Sequence, residues 1–228
     1  GSAIGLEIRA QAFAFATNDE INNMTFYSYE IINRSTYTLT NTYFSPWTDV
    51  DLGFSRDDFV GCDVTRGLGY GYNGKNVDGS GEPESYGVNP PAVGVDFFQG
   101  PYLDPDGIDN PKYNPLTGEN CDESINGVNF ENGIIDDERF GMRRFVYHNN
   151  DGSDNGDPSK ASEYYLYLRG IWKNGEKMQY GGNAFNGGGV TGVACDFMFP
   201  FDSDPCNWGT GGIDPGFDGY WSEETAAD

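Results

Sequence analysis

One histidine, four cysteines and thirteen Lys+Arg in 228 residues leave several chemistries without their material. Zinc proteases need paired histidines, and His148 stands alone in Phe-Val-Tyr-His-Asn-Asn. No Cys-x-x-Cys occurs, which removes the usual zinc and thioredoxin-like readings. No Gly-x-Ser-x-Gly occurs, so the nucleophile elbow of an α/β-hydrolase is missing. No apolar run approaches the ~18 residues of a membrane span. No basic patch is available for phosphate contacts, and the same shortage argues against an anionic membrane surface. Nucleic acid and membrane insertion are therefore not expected partners. Hydrophobic residues make up only 37%. Aromatics make up 15%, and their large rings supply a core that a disordered chain would lack. Thirty-three glycines and twelve prolines predict a loop-heavy fold.

What the chain has in excess is acid. Thirty-six Asp+Glu set the formal charge at −23. Five aspartates (Asp49, Asp51, Asp57, Asp58 and Asp63) fall in one segment, three more (Asp104, Asp106 and Asp109) in a second, and Asp151, Asp154 and Asp157 in a third. Like charges this close repel unless cations neutralise them, and oxygen-rich clusters suit Ca²⁺. In Asp49-Val-Asp51-Leu-Gly53, two carboxylates share one side of an extended turn and the glycine lets backbone carbonyls join; Asp57 or Asp58 would close the shell. Residues 104–110 are shaped like calcium loops of extracellular repeat proteins. Residues 151–157 match the first half of an EF-hand loop, but Ser162 stands where the closing Glu belongs and Asp157 doubles as a helix cap. Asn132-Gly-Ile-Ile-Asp136-Asp137-Glu138 has the same flavour in the wrong register for an EF-hand. The competing readings are solvated acidic loops and Asp/Pro/Gly turns.

Residues 6–15, 24–32 and 36–44 alternate as β-strands, 92–98 reads as a buried strand, and a Gly/Tyr-rich strand or hairpin ends near Tyr72. A helix is expected near 158–173, with Asp157 as N-cap, Pro158 as first residue and Gly175 beyond its end. A shorter one is expected within 136–147, and 99–133 reads as a long irregular stretch. Cys195 and Cys206 flank a turn and are expected to pair, leaving Cys62 to pair with Cys121. Trp47, Trp208 and Trp221 are candidates for stacking on glycans. A glycosidase would need two carboxylates, and nothing singles out a pair, so no enzyme is expected.

Several phrases add a resemblance: Asp-Asp-Phe-Val-Gly-Cys-Asp (57–63), Leu-Gly-Tyr-Gly-Tyr-Asn-Gly (68–74), Pro-Pro-Ala-Val-Gly-Val-Asp-Phe-Phe-Gln-Gly-Pro (90–101), Glu-Arg-Phe-Gly-Met-Arg-Arg-Phe (138–145) and Phe-Met-Phe-Pro-Phe-Asp-Ser-Asp-Pro (197–205). Together they resemble large secreted surface proteins of Bacteroidota exported by type IX secretion. The resemblance implies export, a cell-surface or extracellular setting and a longer parent chain, and assigns no catalytic residue. Gly1-Ser2 reads as a cloning remnant and the chain as an excised piece.

The expectation is thus a single extracellular domain over 1–228, mostly β and β-sandwich-like, with a small helical insert and long metal-stabilised loops. A subdivision near residue 100 would separate a β-rich part from a loop-rich one. Its expected role is that of a Ca²⁺-stabilised structural or adhesive module whose partners are neighbouring domains. The alternatives are a carbohydrate-binding module or polysaccharide-active fragment, and cargo recognised by the secretion machinery.

Overall fold

The computed structural model describes residues 4–187, 193–206 and 221–226. The chain divides into two compact units, Gly1–Thr42 and Tyr43–Asp228. The boundary falls at residue 42, whereas the sequence suggested one near residue 100.

The first unit is a hairpin. Strand β1 (Leu6–Ala14) pairs antiparallel with β2 (Thr25–Asn33), from Leu6 opposite Asn33 to Ala14 opposite Thr25. Period-2 alternation sorts the residues by face. One face carries the pairs Ile8/Ile31, Ala10/Tyr29 and Ala12/Tyr27; the other carries Arg9/Glu30, Gln11/Ser28 and Phe13/Phe26. Arg9 bonds Glu7 and Glu30, and Phe13 stacks on Phe26 at 5.4 Å. No described residue of this unit is buried. The strand expected at 36–44 does not form. The Asn33 side chain accepts from Ser35 N at 2.9 Å and donates to Tyr37 O at 2.7 Å, and such local side-chain bonds compete with a ladder.

The second unit holds the antiparallel order β3 (Asp58–Asp63), β4 (Leu68–Asn73), β7 (Val93–Asp96), plus a two-stranded sheet of β5 (Val77–Asp78) and β6 (Gly87–Val88). Among the described residues there are three antiparallel sheets and few helices, so the fold is mostly β. The Leu-Gly-Tyr-Gly-Tyr run of β4 puts both glycines on one face. A Cβ at Gly69 would stand 2.7 Å from the Phe145 ring, so the bare backbone is what lets that ring lie against the sheet.

Helices are short: α1 (Cys121–Ser124), α2 (Ala161–Tyr167) and α3 (Glu223–Ala226). The helix expected at 158–173 shrinks to α2, capped at Lys160 instead of Asp157. Asp157 belongs to the preceding turn, where its N–H donates to Asp151 O at 2.8 Å, and Gly170 turns left-handed at φ +67° and stops the helix before Trp172. The helix expected within 136–147 is replaced by extended chain, with Arg139 bridging to Val128 and to Tyr102.

Two apolar clusters fill the core. One gathers Tyr167, Trp172, Met178, Met198, Phe199 and Trp221; the other gathers Val64, Ile125, Met142 and Phe197 around cysteines, and Phe145 touches both. The buried indoles satisfy their N–H groups: Trp172 donates to Ala184 O at 2.8 Å and Trp221 to Gly182 O at 2.9 Å. The apolar segment 195–201 threads between the clusters, bonded to Phe145 on one side and through Phe199 O to Cys62 N on the other.

That path corrects the expected disulfides. Cys121 bonds Cys206, while Cys62 and Cys195 are buried free thiols. Cys195 lies in the tryptophan cluster, whereas Cys206 lies beside Cys121 in the other cluster. Among the described residues, no helix is long and apolar enough to cross a membrane.

Candidate cation site

The acidic segments meet different fates, decided by how many backbone N–H groups each carboxylate captures. In the second segment the aspartates are largely occupied. Asp136 Oδ1 accepts from Asp106 N at 2.8 Å and Gly107 N at 2.9 Å. Asp109 returns the exchange, accepting from Asn132 N at 3.2 Å and from Gly133 N at 2.6 Å. Each loop also closes an Asx turn, Asp106 onto Ile108 N and Asn132 onto Ile134 N. Residues 104–110 and 129–138 therefore brace one another reciprocally, with Glu138, 1% exposed, accepting from Asn110 N below them. Asp104 stays exposed beside this exchange.

The third segment is a tight turn. Asp151 Oδ1 accepts from Ser153 N at 2.8 Å and from its hydroxyl, and these bonds hold its carboxyl below the usual range. Asp154 and Asp157 give their carbonyls to Lys173, to its N–H and its ammonium respectively. His148 Nδ1 lies 3.4 Å from Asp157 Oδ1, and Trp47 Nε1 donates to His148 Nε2 at 3.4 Å. The lone histidine thus sits between the Asp157 carboxylate and an indole that is 66% exposed. Trp221, expected to face glycans, is fully buried, and Trp208 lies outside the described residues.

The first segment differs. Asp63 leaves it, at the far end of β3, where Thr65 and Arg66 bond its carboxylate. Asp49 is exposed, and Asp51 lies near enough for its charge to act on Asp58. Asp57 and Asp58 are joined by two residues the sequence did not flag, Asn73 and Asp78. Asn73 sits directly opposite Asp58 across the β3–β4 ladder, so both side chains share a face. Asp78 is 1% exposed and accepts from Phe54 N at 3.0 Å and Tyr86 N at 2.5 Å. Its carboxylate fills the space a side chain at Gly53 (φ +74°) would need.

One polar atom of each remaining side chain is bonded. Asp57 Oδ2 accepts from Gly79 N at 3.2 Å, with the Lys75 ammonium at 3.8 Å, and Asp58 Oδ2 accepts from Leu52 N at 2.8 Å. Asn73 Nδ2 donates to Lys75 O at 2.7 Å, which fixes its amide so that Oδ1 points the other way. The other side-chain oxygens, Asp57 Oδ1, Asp58 Oδ1 and Asn73 Oδ1, are buried and bonded to nothing. Burial raises the Asp58 pKa, the Leu52 N–H opposes it, and the charges of Asp78, Asp57 and Asp51 add to the rise. Buried acceptors without donors are costly, on the order of 1–3 kcal/mol each. Among the described residues, no three His, Cys, Asp or Glu side chains are gathered closely enough to hold a metal by themselves. An ion here would draw on two carboxylates, the Asn73 oxygen and water. The ladder register is the signal that would have found Asn73: once 58–63 is drawn against 68–73, Asp58 faces it.

Comparison with known protein families, curated proteins and solved structures gives no match to this chain.

Proposed function

We propose that this chain is a calcium-stabilised structural or adhesive domain of a secreted bacterial surface protein, with one Ca²⁺ at the corner of Asp57, Asp58 and Asn73. The observation that carries the reading is the trio of buried oxygens with no donor. Ca²⁺ accepts carboxylate, amide and water oxygens in a flexible shell of about 6–8 ligands. Ordering of the long loops by metal and a β-sandwich-like layering of the sheets belong to the same reading. The Cys121–Cys206 disulfide supports an oxidising, extracellular setting. The exposed Ile8, Tyr27 and Ile31 side chains of the Gly1–Thr42 hairpin support neighbouring domains as partners.

Thermal melting in EDTA and after calcium is restored tests it. Saturating calcium at about a hundred times Kd adds ~2.7 kcal/mol, a rise of about 5–10 °C for a chain this size. Asp58→Asn is the informative variant. It keeps an acceptor for Leu52 N, removes one charge and supplies a donor beside Asn73 Oδ1. It is expected to melt above the parent in EDTA and to gain little from calcium. A parent indifferent to calcium sinks the reading; a response that survives both Asp58→Asn and Asp57→Asn moves the ion elsewhere.

A further inference from the structure

A cavity of about 250 Å³ opens in the second unit, and neither Asp57, Asp58 nor Asn73 lines it. Its polar wall is Asn149, Asn155, Asn183 and Glu223, and its aromatic wall is Tyr147 and Phe199, whose rings lie 6.4 Å apart. Glu223 is tied down: its Oε2 accepts from Val60 N at 2.6 Å, joining α3 to β3. Two of the amides are held through their oxygens. Asn155 Oδ1 accepts from the Ser153 hydroxyl at 3.1 Å, and Asn183 Oδ1 from Phe185 N at 3.3 Å. The Nδ2 groups of Asn149, Asn155 and Asn183 bond no acceptor among the described residues.

These walls restrict the occupant. A chain of formal charge −23 with a carboxyl in the cavity wall disfavours anions. A purely apolar guest would strand the amide donors. A volume below the ~300 Å³ at which drug-sized pockets begin admits one small ring. We propose that this cavity binds a neutral, hydroxyl-rich ring of pyranose size, its C–H face against Tyr147 and Phe199 and its hydroxyls on the three asparagines. The ring would be bound at a place different from the exposed tryptophan surface on which sugars are usually sought. Burial pushes the Glu223 pKa up to about 7, so in mildly acidic solution the group is a neutral acid able to donate to a hydroxyl.

The test is saturation-transfer NMR on the full chain with D-glucose, D-galactose, D-mannose and N-acetyl-D-glucosamine. Transfer to at least one is expected, with millimolar Kd, the strength of about −4 kcal/mol. Asn149→Ala should weaken it about tenfold, a loss of ~1.4 kcal/mol. The Asn149 side chain bonds no other described group, so the melting temperature should stay unchanged. Two results overturn the proposal: no transfer from any of the four sugars to folded protein, or transfer that neither Asn149→Ala nor Asn183→Ala reduces.

Discussion

The hairpin of Gly1–Thr42 and the unit from Tyr43 onward invert the usual relation between regularity and burial. The hairpin has the longest strands among the described residues, nine residues each in full register, and buries none of its described residues. The second unit has strands of two to six residues and long irregular segments, yet it buries Trp172, Trp221, Phe197 and Phe199 almost completely. A ladder satisfies backbone groups but removes little apolar area from water, and a two-stranded hairpin is marginal by itself. The second unit draws its stability from aromatic packing across loops. Regular structure and a core are separate achievements here, made in different parts of the chain.

The sharpest way to break that contrast is to truncate one ring in each unit. Trp172→Ala should cost about 3–5 kcal/mol in denaturant unfolding, because the indole is 1% exposed and its N–H is bonded. Tyr29→Ala, on the apolar hairpin face and 50% exposed, should stay within about 0.5 kcal/mol. A comparable cost at Tyr29 would show that the hairpin face is covered in solution. Next comes the crosslink. The Cys121–Cys206 bond spans 85 residues, and its loss in a Cys121→Ser/Cys206→Ser variant should cost about 2–5 kcal/mol. Peptide mapping without reduction should find that linkage. Cys62 and Cys195, whose thiols burial pushes well up, should alkylate only after unfolding.

A smaller effect separates the units by pH. Glu223 has a folded pKa of about 7 against an ordinary 4.5, so between those values the folded state holds the proton more firmly than the unfolded chain. Its contribution is complete below about 4.5, falls as pH rises, and is gone above about 7. Glu223→Gln keeps an acceptor for Val60 N and should flatten the slope across that window. Discounting for partial exposure, it should stabilise the protein by about 1–2 kcal/mol at neutral pH. An unchanged difference between parent and variant from pH 4.5 to 7 would mean that Glu223 ionises as freely as an exposed glutamate.

Short-range features were legible in the sequence. Alternation located β1 and β2, and the Gly/Tyr run located β4, because those signals need only neighbouring residues. The 36–44 alternation misled because Asn33 offered the backbone a closer partner. Asp157 and Pro158 made a sound helix start that the 151–157 turn had already claimed. For the acidic segments, the sequence singled out carboxylates by their density but could not say which would be left with a free oxygen. Asp109 and Asp58 look alike in composition. Asp109 meets two N–H groups from a loop some twenty residues on, while Asp58 meets one and faces Asn73. Cysteine pairing failed for the same reason, since proximity along the chain said nothing about the route of 195–206 through the core.

The Cys121–Cys206 bond has a consequence for a severed chain. It encloses residues 122–205, a span that includes the exposed turn Asp151-Gly-Ser-Asp154. A protease that cuts there opens a ring and releases nothing: both fragments stay tethered, and the nick becomes visible as two bands only under reducing conditions. A single clip in that turn would therefore leave the molecule attached to itself.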